Sequence, residues 1–537
     1  MVRHASHIEL YPADAFRSDP INRPDFWPWG TDSDNGELLV GGMRVPQILS
    51  ALGDAHTPVL VCDADDLSSR MCTWASALAE ECWPSYGMND ATVLYDLSTM
   101  GAPAVARLAL SQGLGLKARS LGELSLGFSL INQHCASLKH ATSPVPVKRP
   151  HLILDAPVLF PNLVQAALEA HALVTIRSMA DLDVLISVLR IRPAQTPPHA
   201  RVIIALQTDN DGYEDDSSRS DDASSTNRRA TEVTYLPALT MTEFREAIRI
   251  CRKQAEVDSL LVAIEGISLT FTDEAPSAIA QVLGHVIDQW PIAESPAHPD
   301  HGGASLSLLD ITLDPPVAHT DPHYAINGAA HYARAWVPVL RERCQARHLS
   351  IPHLIVDPSW AGVGASTMVL SRVLRVDHGE SALTASTTDL NNESIDDLSA
   401  NVPTVWIDTP LTRDLLTISG STPLTATYAW NAHGSANNNA HATPANDDEH
   451  SASATQQEYL LRSASHADSA HTALRVILPV DLQANDILAM PIIGAMMLGR
   501  YATASFETAP GLAMIHHGQA TWAVRPQTVE AVISRFL

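Results

Sequence analysis

Between about residue 57 and residue 357 the sequence alternates short aliphatic runs with amphipathic stretches, and this alternation restricts the fold more than any other feature. Strands are predicted over residues 92–97, 114–120, 151–155, 173–176, 201–206, 260–269, 306–311 and 353–357. Between them, helical spacing runs over 102–112, from about 122, then over 161–171, 180–189, 242–257, 275–290 and 329–347. Repeated β-α units at this count predict a (β/α)8 TIM barrel, with functional groups on the loops after the strand C-termini. After about residue 370 the pattern changes to short strands at 369–376, 402–408, 473–478, 487–491, 512–516 and 521–525, which predicts a separate β domain of barrel or sandwich type.

Three expected units follow. Residues 1–57 form an irregular lead segment, with a strand at about 37–42 that joins the β domain and a helix from Val45 to Leu52. Residues 58–370 form the barrel domain. They include a strand ending at Asp63 and a helix from Leu67 towards Cys82, capped by Asp65 or Asp66. Residues 371–537 form the β domain. Polar insertions at 208–232, 378–400 and 434–458 are too hydrophilic to bury and are expected at the surface.

Composition narrows the function classes. A net charge of −26 argues against nucleic acid and against an anionic membrane surface. No run reaches the roughly 18 apolar residues of a membrane span. The six cysteines make no C-x-x-C pair, which suits free thiols in a reducing compartment, and the N-terminus lacks an apolar signal core. A cytoplasmic location is expected. His516-His517 and the loop around His298-Pro299-Asp300-His301 lack metal-ligand spacing on one regular element, so no metal site is expected. The chain has four lysines, Lys117, Lys139, Lys148 and Lys253, so any chemistry that needs an amine has few candidates.

Several motifs sit in the order of one enzyme family. They include Leu38 through Gly42, Thr57-Pro58-Val59, Asp63, Asp65-Asp66-Leu67, Arg70 and Trp74. Gly113-Leu114-Gly115, Ser120 and Gly122-Glu123-Leu124 follow, and Leu478-Pro479 with Asn485 through Ala489 stand near the C-terminus. The chain resembles the fold-type III pyridoxal-phosphate (PLP) decarboxylases, diaminopimelate decarboxylase most closely, from about Leu38 to Leu537. The resemblance implies an alanine-racemase-like barrel with a C-terminal β domain, PLP on a Schiff-base lysine, and dimers that share sites.

The residues that carry the family chemistry are replaced. The strand running to Met100 resembles V-L-Y-A-x-K-A-N, and its lysine position is Ser98, whose hydroxyl cannot form an imine. The glycine-rich phosphate loop is Thr312-Leu313-Asp314, and the H-x-H-x-G-S strand end with the ring-stacking histidine is Ser268 through Asp273, with Thr270 at a degenerate position. E-P-G-R is Asp357-Pro358-Ser359-Trp360, and G-N-x-K is Ala156-Pro157-Val158-Leu159. The partner-subunit cysteine motif falls on His466 through Ala470, and the tyrosine of G-A-Y is Met496. Lys117 lies on the next strand, where the family has an aspartate. It is either a substitute Schiff-base donor or a barrel lysine paired with Asp96 or Asp155. Ser98 lacks a G-x-S-x-G elbow, and His466 is by default a solvated histidine. Met100, Phe271, Trp360 and Met496 are the large groups that could fill the cofactor space.

The favoured expectation is a catalytically degenerate decarboxylase-like protein with a structural or regulatory role, holding no cofactor. It would work as a homodimer, or as a heterodimer with an active decarboxylase paralogue. The alternatives are an active PLP-dependent decarboxylase of meso-diaminopimelate with a non-standard site, and a binder of a small anionic ligand.

Overall fold

The computed structural model describes residues 27–34, 37–53, 57–82, 91–140, 149–191, 199–207, 236–272, 276–291, 303–314, 328–378, 402–409, 427–430, 456–464, 473–491, 498 and 508–534. Eight parallel strands close into a barrel: β1 (Ala91–Asp96), β2 (Gly115–Ala118), β3 (Leu152–Leu154), β4 (Leu173–Ile176), β5 (His199–Ala205), β6 (Leu261–Thr272), β7 (Ala304–Asp314) and β8 (His353–Asp357). The ring closes where β8 pairs with β1, Ile355 against Thr92. Helices such as Pro103–Ser111, Leu121–His140 and Met241–Asp258 connect the strands, as the alternation predicts.

Strand geometry sorts the barrel residues. Successive side chains point to opposite faces, so residues two apart share one. Outward positions such as Val93, Tyr95, Leu116, Leu154, Val174 and Val356 pack against the helices in one continuous core. Inward positions Leu94, Ile153, Leu173, Ile203, Leu308 and Ile355 form a separate small cluster that fills the lower barrel. Gly115 belongs to this layer, because a Cβ there would come within 2.7 Å of Leu94.

The second domain is a mostly antiparallel sheet. Its order is Ala473–Pro479, Gln456–Ser463, Thr404–Ile407, Thr367–Asp377, Val59–Asp63, Gly511–His516 and Gln519–Val524, with Ile487–Pro491 also paired to Thr367–Asp377. Val59–Asp63 falls within the region expected to form the barrel, yet it pairs with Thr367–Asp377 and Gly511–His516. The barrel strands therefore begin only at Ala91. The strand is apolar on both faces: Leu60 and Cys62 join the main core, while Val59 and Val61 join a second core with Leu38, Val40, Ile48 and Met368. The lead-segment strand Glu37–Val40 belongs to a small three-stranded sheet, and its side chains cover the far face of the large sheet.

Local corrections follow from hydrogen bonding. The helix expected from Leu67 runs Ala64–Glu81, and its cap is Asp63, whose carboxylate accepts from the N–H groups of Asp65 and Asp66. Residues 456–458, expected in a polar insertion, open the strand Gln456–Ser463. The rest of 434–458 and all of 208–232 lie outside the described residues, as does 379–400. All six cysteines are free, four of them buried. Among the described residues no helix is long and apolar enough to cross a membrane.

Candidate functional site

Directly above the apolar layer, the same strands carry charge. Leu94 is followed two residues on by Asp96, Ile153 by Asp155, Leu308 by Asp310 and Ile355 by Asp357. Alternation thus places four carboxyls together at the C-terminal end of the barrel, where such folds place their chemistry. β2 contributes Lys117, in register with Asp96 on one side and Ile153 on the other. Arg119 and Arg177 follow β2 and β4. Asp96, Lys117, Asp155 and Asp310 are wholly buried, and Arg177 and Asp357 nearly so.

Lys117 is the centre of the cluster. Its Nζ lies 3.2 Å from Asp357 Oδ2, 3.5 Å from Asp310 Oδ2 and 3.9 Å from Asp155 Oδ2, and donates to Thr312 Oγ1 at 2.5 Å. Arg177 grips Asp155 with two N–H groups at 2.8 and 2.9 Å. Arg119 Nε donates to Asp96 Oδ2 at 2.7 Å. Ser268 Oγ donates to Asp310 Oδ2 at 2.7 Å, and Ser359 Oγ to Asp357 Oδ1 at 2.5 Å. Of the two acids proposed from sequence as partners of Lys117, Asp155 is one. Asp96 is taken by Arg119 instead.

The electrostatics follow from this geometry. Burial opposes the charge on Lys117, but Asp310, Asp357 and Asp155 together hold its pKa above the usual lysine range, so it stays an ammonium. Burial also works against Asp155, yet Arg177 and then Lys117 hold its carboxyl well below the usual range. Asp310 and Asp357 go the other way. Burial raises both, against the attraction of Lys117. Four carboxyls face three cations, and Asp310 Oδ1 is buried with no hydrogen-bond partner among the described residues. A proton held among these acids balances the charge and agrees with the raised pKa values of Asp310 and Asp357.

The positions singled out from sequence are distributed around this cluster. Ser98 follows β1 in a turn, half-buried, with its N–H donating to Asp96 Oδ1 at 2.8 Å. Thr312 contacts Lys117, and Leu313 is buried on the opposite, outward face. Thr270 sits opposite Thr312 in the β6–β7 ladder. Asp357 is a direct ion-pair partner of Lys117. His466 and Met496 lie outside the described residues, as do the side chains of Asp314 and Trp360. Met100 and Phe271 pack in the outer core rather than inside the barrel. Among the described residues, charged side chains occupy the barrel interior at this level. Arg177, Ser268 and Asp310 were not expected as members of the cluster. The signal for them was the period-two alternation of inward positions: Asp310 lies two beyond Leu308, Ser268 two beyond Gly266, and Arg177 four beyond Leu173.

No protein-family model matches the sequence. A curated diaminopimelate decarboxylase of Actinosynnema pretiosum subsp. auranticum is 29% identical over 122 residues, which is 23% of this chain and 25% of that protein. The structure aligns with the diaminopimelate decarboxylase of M. jannaschii in complex with L-lysine at a TM-score of 0.66 and 12% identity, covering 95% of this chain and 98% of the other. The Helicobacter pylori diaminopimelate decarboxylase complexed with L-lysine aligns at 0.62 and 12% identity, covering 90% and 98%. The fold is that of the diaminopimelate decarboxylases.

The family that the sequence resembles holds PLP, a group that sets two requirements. A covalent link needs a free amine, but Ser98 has none and the Lys117 ammonium is enclosed by three carboxyls. A phosphate needs several unpaired N–H groups at a loop. Here residues 312–314 continue as β-strand, with Thr312, Leu313 and Asp314 in register with Thr270, Phe271 and Thr272. Thr312 is also paired with Asp357 on the other side. On the β6 side the ladder runs through all three residues, where a phosphate loop would turn away from the strand. The described residues do not fit the cofactor.

Proposed function

We propose that this chain is a non-catalytic diaminopimelate-decarboxylase-like protein, whose barrel serves as a scaffold in an assembly. The observation that carries the proposal is Lys117. The buried lysine at the catalytic end of the barrel is bound by Asp155, Asp310 and Asp357, and the position that matches the family's lysine, in the turn after β1, is Ser98. An amine held as an ammonium is not a nucleophile, and releasing it would take the ion-pair partner from two buried acids, Asp310 and Asp357. The partner is a second copy of the chain, or an active decarboxylase whose sites would form against it.

The test is to incubate purified protein with PLP and record its visible spectrum before and after borohydride, with sedimentation of the protein alone and mixed with an active diaminopimelate decarboxylase. The expected result is no protein-bound colour, no lysine modified by borohydride, and an assembly larger than the monomer. A yellow protein whose colour is fixed by borohydride and lost in Lys117→Ala would establish the enzyme reading instead. A colourless monomer that ignores the decarboxylase would refute the partner role.

A further inference from the structure

A second group of ionisable side chains lies on the surface, at the junction of the barrel with the large sheet. Strands Gly511–His516 and Gln519–Val524 form a hairpin closed by His517 and Gly518. Both turn residues have positive φ, 50° and 68°, as a two-residue type I′ turn requires. That turn fixes His516 as the last strand residue and His517 as the first turn residue, so their rings lie side by side with centroids 4.0 Å apart. Facing them is Asp65, in the first turn of the helix Ala64–Glu81.

The donors converge on one point. His516 Nδ1 lies 2.6 Å from Asp65 Oδ1, and His517 Nδ1 lies 3.6 Å from Asp65 Oδ2. One ligand atom from each residue lies within 4.8 Å of the others. The carboxylate is oriented independently of the rings, because the His517 backbone N–H donates to Asp65 Oδ2 at 2.7 Å. That bond survives if an ion takes the ring nitrogens and supports the carboxylate from behind. Slight burial weighs against the Asp65 charge, but the hydrogen bonds from His517 N–H and from His516 hold its pKa below the usual carboxylate range. The site is open to solvent: the three side chains are 41%, 58% and 81% exposed for Asp65, His516 and His517. An ion has free access and would keep water on its remaining positions.

We propose that Asp65, His516 and His517 form a binding site for a divalent late transition ion of the zinc and copper class. Two imidazole nitrogens with one carboxylate oxygen are the donor set such ions select, whereas magnesium and calcium prefer oxygen alone. Seating an ion roughly 2.0–2.2 Å from each donor requires His516 Nδ1 and Asp65 Oδ1 to separate by roughly 0.5–1 Å. The ion would fasten the first turn of the barrel's flanking helix to the hairpin of the sheet, so its binding would be coupled to the docking of the two domains. The proposal is independent of whether the barrel is catalytic.

The test is calorimetric titration of the full chain with Zn2+, alongside electron paramagnetic resonance of the protein with one equivalent of Cu2+. The expected result is one site per chain that Mg2+ does not displace, with a copper signal coupled to nitrogen. Affinity should fall at least tenfold in His516→Ala and in His517→Ala, and nearly as far in Asp65→Asn. Thermal unfolding of the metal-free variants checks that they remain folded, as expected for exposed positions. With 24 histidines in the chain, the double variant H516A/H517A is decisive. If it binds Zn2+ as tightly as the natural chain, or if the natural chain gives no site, the proposal is overturned. Displacement by equimolar Mg2+ would overturn the assignment of ion class.

Discussion

The lower and upper halves of the barrel interior come from the same strands, two residues apart, and they are held together by opposite means. Leu94, Ile153, Leu308 and Ile355 fill the lower half with hydrocarbon. Asp96, Asp155, Asp310 and Asp357 fill the upper half with carboxyls, matched by Lys117, Arg119 and Arg177. The lower layer gains free energy by leaving water, wherever its atoms happen to touch. The upper layer loses hydration and recovers it only if every charge finds its partner at the right distance. An apolar layer tolerates repacking, whereas a buried charged layer is all-or-none. The upper layer therefore carries the specific information about this site.

The largest test removes the hub of the upper layer. Lys117→Ala leaves Asp310 and Asp357 without their ion-pair partner while Asp155 keeps Arg177, and denaturant unfolding at neutral pH should show a loss of about 4 kcal/mol. Adding Asp357→Asn to that variant should recover part of it, because one of the stranded charges is gone. In the lower layer, Ile203→Ala should cost about 3 kcal/mol through lost burial and a cavity, with no dependence on pH. If Lys117→Ala costs clearly less than Ile203→Ala, the contrast between the two layers collapses.

A smaller effect separates the layers by pH. Burial raises Asp310 in the folded state, so that state holds the proton more tightly than the unfolded chain does. The resulting stability is present below the ordinary carboxylate range, about pH 4, and is lost as pH rises through the folded pKa. Asp155 has the opposite sign: its pKa is lowered, so its stability is present above that range and disappears on acidification. Asp310→Asn should flatten the decline of unfolding free energy on the alkaline side of about pH 4 and leave the acid limb in place. An unchanged pH profile would remove the raised acid from the account. The smallest expected effect lies outside the barrel. The half-exposed pair Arg190–Asp258, at 3.0 Å, should contribute less than about 1 kcal/mol, so Arg190→Ala calibrates the scale of an ordinary ion pair.

Much of this architecture was legible in the sequence. The β-α alternation located all eight barrel strands to within a few residues, because each aliphatic run is bounded by polar turns. That Ser98 and Thr312-Leu313-Asp314 depart from the pattern of the family the chain resembles was also legible, because residue type is read directly from the sequence. Three things were not. Val59–Asp63 reads as a strand equally well in either domain, and only its pairing with Thr367–Asp377 decides. Asp63 rather than Asp65 or Asp66 caps the following helix, a choice set by one residue of backbone geometry. Phe271 was expected among the groups able to fill the cofactor space, and the strand alternation turned it outward while Ser268 and Asp310 faced in.

The sequence by itself determined which residue types stand at the ends of the barrel strands, because covalent order and side-chain chemistry are local. It therefore carried the fold, the serine at position 98 and the scarcity of lysine. Tertiary structure decided what those residues became to one another. Lys117 is joined to Asp310 and Asp357, 193 and 240 positions away along the chain, only because the barrel closes. Asp65 meets His516 across 451 positions only because the hairpin docks on the helix. Coulomb attraction and desolvation depend on distance and dielectric, and both are set by the folded chain.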